Sequence, residues 1–244
     1  MAPSAFVPAP PAFDLVTAAG IGGLAVLMAG VVVWLRVRYE RVSPWPTAAV
    51  LAVWMLAAAG LALAGILARF DRTPPPMAVM LPVIFAVPVG IAVSPLGARL
   101  SAAVPIAMLI GLQMFRLPLE LVMHRAAGLG IMPVELSYSG YNLDIVTGAG
   151  AVVLAAAMRV AEVPRTVVWA WNLWGLWCLA VIAWVARSSS PLVRAFGDDP
   201  RHLNTWVLYF PYVWLPTVLV VIAFTGHLVL TRRLLRHGQV EPRT

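Results

Sequence analysis

SAAVPIAMLIGLQMFRLPLELVMHRAAGLG, residues 101–130, decides how the rest of the chain is read. With Leu100 in front, it is long and apolar enough to cross a lipid bilayer. Its second half nevertheless carries Gln113, Arg116, Glu120 and His124 at spacings of three, four and four residues. That spacing puts all four side chains on one helical face. A charged stripe is costly in hydrocarbon, so it must face protein or water, and it marks a functional site by default.

Composition agrees with a bilayer setting. Of 244 residues, 61% are hydrophobic and only 11% are charged, against about 25% charged in soluble domains. The mean hydropathy is +0.89. Such a chain cannot hide its apolar surface in one water-facing globule, and it reads as an all-α, multi-pass transmembrane bundle. The net charge of +7 comes from 17 arginines and no lysine. All but Arg116, which lies within a span, sit in short loops and the tail, where orientation in a membrane accounts for them, and no basic module for nucleic acid is present. Without lysine there is no Schiff-base chemistry and no lysine nucleophile. No nucleotide-binding loop occurs. The single Cys178 lies in an apolar run, which leaves a buried structural thiol and no intrachain disulfide. No basic residue precedes the first apolar run, so the first span is expected to be retained rather than cleaved.

Outward from the quoted stretch, residues 1–13 read as a Pro/Ala-rich, poorly ordered tail, 14–235 as one transmembrane domain, and 236–244 as a cytoplasmic tail. Seven spans are expected, at about 15–35, 46–68, 77–93, 100–127, 145–160, 166–186 and 206–230. The third should kink at Pro82 and Pro88. The fourth would be longer than the roughly 30 Å hydrocarbon core, so it must tilt, break near Pro118 or project into water. Five tryptophans of span six (Trp169, Trp171, Trp174, Trp177 and Trp184) read as lipid-facing or interfacial anchors. Ten arginines fall in the loops and tail on one side and six on the other, which orients the chain N-out and C-in. Leu81-Pro82 and Leu215-Pro216 each precede an Arg-Leu pair by sixteen residues, a spacing that chance in this composition explains better than an internal repeat.

This topology collects an outward-facing polar pocket from Gln113, Arg116, Glu120, His124, Asn142 and Asp144, with Glu135, His202 and Tyr209 as additional members. Arg116 and Glu120 at i, i+4 read as a structural ion pair with Asp144 bracing the arginine, or else Arg116 holds an anionic group or pairs Asp144; Asp144 and Asn142 are both good helix N-caps. His227 falls near the opposite, inner surface, about 20–30 Å from His124 along the membrane normal by helix rise. A bis-histidine haem is therefore disfavoured. A metal shared by His124 and His202 with Glu120 or Asp144 stays open, although no HxxxH or HExxH spacing supports it.

FRLPLELVMH (115–124), GYNLDIVTG (140–148) and FPYVWLP (210–216) resemble segments of uncharacterised bacterial polytopic inner-membrane proteins. The resemblance implies seven helices in the inner membrane and no assigned activity. The leading expectation is a small-solute or proton/cation-linked transporter, or a solute-binding membrane protein, in which Glu120 and His124 handle a proton or cation. The second is an intramembrane enzyme with Glu120 or His124 as general base, although Ser137 and Ser139 lack a nucleophile motif. The third is an assembly subunit whose stripe meets a partner helix. Expected partners are the lipid bilayer, an unidentified small solute, and a second copy or a membrane-complex subunit.

Overall fold

Prolines and caps, more than apolarity, set where these helices begin and end. In the computed structural model, which describes residues 7–236, the described residues contain helices and no strand. The order is α1 (Leu15–Leu35), continued by a π-helical turn to Glu40, then α2 (Pro44–Leu63), α3 (Pro76–Val93), α4 (Pro95–Ala103) and α5 (Ile106–Gly111). A 3-10 turn, Leu112–Phe115, leads into α6 (Arg116–Gly128); α7 (Asp144–Ala157) and α8 (Arg165–Ser188) follow. A π-helical segment, Leu215–Val220, runs into α9 (Val221–Arg236). The expected N-terminal tail is described only from Val7, and the cytoplasmic tail beyond Arg236 lies outside the described residues.

Six helical segments are long and apolar enough to cross a membrane, while α7 is an apolar helix of 14 residues. α2 exposes Trp45, Val50, Val53, Leu56 and Leu63. A continuous apolar face of that size is stable only against lipid. The protein is a multi-pass, all-α membrane protein.

Three expected boundaries are corrected. The fourth span does not run unbroken from 100, nor is Pro118 its main break: the chain is cut at Pro105. Val104 is extended there, with φ −83° and ψ 126°, as the residue before a proline prefers. Pro118 has a lesser effect, since the 3-10 turn lies just upstream of it, where its missing N–H frees a carbonyl. The last span does not start at Trp206. Residues 206–214 form a 3-10 turn and irregular turns, and continuous helix, π-helical at first, begins at Leu215, with Pro216 in its first turn, where a proline is tolerated. It then extends to Arg236, so His227 sits just past the midpoint of the segment Leu215–Arg236 rather than near its end. The two Leu-Pro segments are likewise not equivalent. Pro82 lies inside α3, which ends before the helix carrying Arg99, whereas Pro216 opens the same helix that carries Arg233.

α9 is the central helix, packed by α3, α4, α5 and α8. α1 packs on α2 and α6, and α7 lies between α6 and α8. Arginines staple one end of the bundle through backbone carbonyls, most of them in the last turns of helices, where carbonyls are left open. Arg232 donates to the carbonyls of Ala92 and Ser94 at 2.5 and 2.9 Å, Arg233 donates to Ser101 and Ala102 at 2.7 and 2.5 Å, and Arg165 donates to Leu234. At the other end, Asp14 caps α1 by accepting from the Thr17 amide and hydroxyl. Arg125 of α6 donates to both of its carboxylate oxygens at 2.9 and 3.0 Å. The Arg125 guanidinium and these Thr17 bonds hold the Asp14 carboxyl well below the usual carboxylate range.

Trp177 and Trp184 are exposed on α8, as lipid-facing anchors should be. Trp171 departs from that expectation. It is buried against α7 and donates from Nε1 to the Thr147 carbonyl at 3.1 Å. Cys178 is buried and free. Pro8, in the expected disordered tail, is buried, and its carbonyl accepts from the Tyr209 hydroxyl.

Candidate functional site

The polar stripe of the fourth span points into the bundle. Gln113, Arg116 and Glu120 are each 1% exposed. Arg116 opens α6 near the midpoint of the segment Ile106–Gly128. The irregular residues 129–143 bring the chain back beside it. Asp144 is the first residue of α7 and not its cap, which is Leu143; Asn142, just before it, accepts from the Asp144 amide at 3.0 Å through Oδ1. Asp144 is thereby fixed with Oδ1 3.2 Å from Arg116 Nη1. The pairing alternative with Asp144 is the one the fold adopts. Irregular backbone at this depth is tolerated only where it is buried in protein, and Leu136, Ser137 and Asn142 are buried.

Glycine makes the close approach. A Cβ on Gly148 of α7 would lie 2.5 Å from the Leu117 amide nitrogen, so only glycine lets α7 reach the backbone of α6. A Cβ on Gly175 of α8 would lie 2.2 Å from Cε1 of His227, and only glycine leaves room for that ring.

His227, expected near the inner surface, lies instead inside the bundle, just past the midpoint of its span. It is fully buried, with Nε2 3.1 Å from Arg116 Nη1 and Nδ1 2.9 Å from Asn172 Oδ1. Arginine can only donate, so Nε2 accepts, and the remaining proton sits on Nδ1 and is donated to Asn172. The imidazole is thus a neutral hydrogen-bond relay with both nitrogens engaged, and it has no free lone pair for a metal or haem iron. Asn172 in turn donates to Thr231 Oγ1 at 2.7 Å, and the Thr231 hydroxyl donates to the His227 carbonyl at 2.9 Å.

Glu120 holds the other end. Both of its oxygens accept from Asn142 Nδ2, at 2.8 and 3.0 Å. Among the described residues no cation lies within ion-pair distance of it, because Arg116 is engaged by Asp144. A continuous polar line therefore runs Glu120–Asn142–Asp144–Arg116–His227–Asn172–Thr231 across α6, α7, α9 and α8. Four buried atoms beside it have no hydrogen-bond partner: Gln113 Oε1, Arg116 Nη2, Asp144 Oδ1 and Thr147 Oγ1. Gln113 spends its amide on the Ala223 carbonyl at 3.1 Å.

Arg116, Glu120, Asn142 and Asp144 line a chamber of about 30 Å³, which is space on the order of one or two waters. It shares Met123, Leu179, Ile182, Leu215 and Val220 with a far larger cavity of about 600 Å³. The large cavity is walled mostly by apolar side chains of α3, α8 and the lead-in to α9.

The other expected members lie elsewhere. His124 is exposed at the far end of the stripe, stacked on Tyr138 with ring centroids 4.3 Å apart and 3.1 Å from Ser139 Oγ through Nδ1. This Ser–His pair has no carboxylate on the imidazole's other nitrogen among the described residues, so it lacks the orienting group of a hydrolytic triad. Glu135 pairs with His202 at 2.5 Å, and Tyr209 bonds Pro8. His124 and His202 thus have separate partners, and no group of three or more His, Cys, Asp or Glu among the described residues is placed to hold a metal ion. His227, Asn172, Thr231 and Thr147 were missed as site residues. The available signal was Pro216, which sets the start of the last helix and so places His227 just past mid-span, with Thr231 one turn further on.

No family model matches the chain, and no curated protein or solved structure is significantly similar to it.

Proposed function

We propose that this is a bacterial inner-membrane protein, N-terminus outside and C-terminus inside, that binds a small solute and moves it in exchange for, or together with, a proton. In this reading the chain crosses seven times. The fifth crossing is made by α7, which starts beside the mid-span Arg116 and needs only about 21 Å of helix to reach the surface. The observation that carries the proposal is the meeting of a ligand-sized cavity with a buried carboxyl that has no cation of its own, Glu120. Buried ionisable groups facing a cavity inside a membrane bundle are the usual elements of a proton path. Arg116 and Asp144 fix the chamber, His227 fixes Arg116, and Glu120 is the group left to gain and lose a proton. The role first considered for His124 passes to Glu120, because His124 sits outside the network. The burial of the stripe also removes the observation that would have favoured an assembly subunit.

Proton uptake into liposomes holding the protein, driven by an inside-negative potassium diffusion potential and followed with an internal pH dye, should exceed that of empty liposomes. Glu120→Gln should return it to the empty level, and His124→Ala should leave it at the wild-type rate. Equal uptake by wild type and Glu120→Gln would sink the proposal.

A further inference from the structure

We infer that the large cavity is a lateral binding site for an anionic, acyl-chain lipid taken from the bilayer, one chain filling the cavity and the headgroup resting at its polar mouth. At about 600 Å³ the cavity lies within the range of true ligand sites. Its walls come from the first half of α3 (Met77, Leu81, Phe85), the last turns of α8 (Leu179, Ala183) and the lead-in to α9 (Leu215). α3 and α8 both pack on the α9 segment without packing extensively on each other, so the space between them opens sideways, toward lipid. An apolar slot of this kind suits a hydrocarbon chain, so on the proposed function the small solute would itself be amphiphilic or would meet the chamber beside Glu120 rather than the apolar walls.

The mouth supplies the sign of the headgroup. Arg187 is exposed on the cavity lining, and its side chain makes no hydrogen bond or ion pair among the described residues. Trp206 also lines the cavity; it is 1% exposed, and its Nε1–H, which can only donate, has no partner. Ser190 adds a hydroxyl to the same lining. A cation and an unsatisfied buried donor call for an acceptor-rich, negatively charged group, and a lipid phosphate satisfies both. Asn204, with a buried Oδ1 that also lacks a partner, offers an acceptor to a hydroxyl on that headgroup. A buried indole donor left unpaired is a cost the fold carries when the site is empty.

The inference concerns the same cavity as the proposed function but not its proton path, because Arg187, Ser190, Asn204 and Trp206 lie outside the Glu120 network. The test is lipid retention by native mass spectrometry of the detergent-purified protein, titrated with phosphatidylglycerol or with phosphatidylcholine carrying the same chains. Wild type is expected to retain phosphatidylglycerol preferentially. Arg187→Gln, a surface change, should weaken that retention roughly tenfold, to the phosphatidylcholine level, as expected for loss of one charge-assisted contact. Ala183→Trp, which fills the cavity, should lose both lipids while keeping the wild-type thermal midpoint. Glu120→Gln should keep phosphatidylglycerol even where proton uptake is lost. Retention of both lipids alike by wild type, retention of neither, or unchanged phosphatidylglycerol binding in Arg187→Gln would each overturn the inference; if Ala183→Trp does not fold, Arg187→Gln decides alone.

Discussion

Arg116→Leu is expected to destabilise the protein by roughly 3–5 kcal/mol, because it strips Asp144 of its cation while leaving the carboxylate buried. The loss extends past the ion pair. His227 Nε2 loses its donor, and the ring loses the contact that assigns its tautomer. Arg116 is 1% exposed, and a water in the small chamber beside it would carry no positive charge to replace the guanidinium. Removing both charges, with Arg116→Leu and Asp144→Leu together, should cost less than Arg116→Leu alone. Replacing a whole buried pair by apolar side chains is commonly close to neutral, whereas an orphaned charge is not. Thermal unfolding in detergent of the two single variants and the double variant checks this. A double variant less stable than either single one would mean that Arg116 and Asp144 act independently.

The second large effect is expected from Gly148→Val. A Cβ at this position falls 2.5 Å from the Leu117 amide nitrogen and 3.1 Å from the Arg116 carbonyl carbon. Both are backbone atoms, which cannot rotate away as a side chain would. Seating valine therefore requires α7 to move off α6, and this drags Asp144 from Arg116 and Asn142 from Glu120. Overpacking of this sort costs about 1–3 kcal/mol even against side chains, and the effect here should lie at or above the top of that range. The functional readout should fall with it, with proton uptake lost in any fraction that still folds. A fully stable, active Gly148→Val protein would show that the contact between α6 and α7 does not set the site.

The class of the molecule was legible from composition, and half of its site from one helical face. Gln113, Arg116 and Glu120 fall on the buried face that their spacing implies, and residues 129–143 fold back so that Asn142 and Asp144 meet them. What escaped the sequence reading was depth. His227 was placed by counting from Trp206, since residues 206–214 are as apolar as the helix after them. Apolarity does not distinguish a helix from a packed turn; Pro216, a residue fit for the first helical turn, does. The same error hid Thr231, and with it the reason for Asn172. His124 shows the converse. It shares the face of Glu120, but one turn further on that face has left the bundle and meets Tyr138 and Ser139 at the surface. Period alone cannot say where along a stripe the protein ends. Trp171 was hidden among four similar neighbours, because tryptophan serves lipid interfaces and buried hydrogen bonds equally well.

The central claim, that Glu120 is the group in the membrane interior that exchanges a proton, is tested most directly by infrared difference spectroscopy of the carboxyl C=O stretch as pH is changed. The account predicts a pH-dependent band from a desolvated carboxyl that disappears in Glu120→Gln and persists in His124→Ala and Glu135→Gln. A band that survives in Glu120→Gln, or a wild-type protein with no such band, would contradict it.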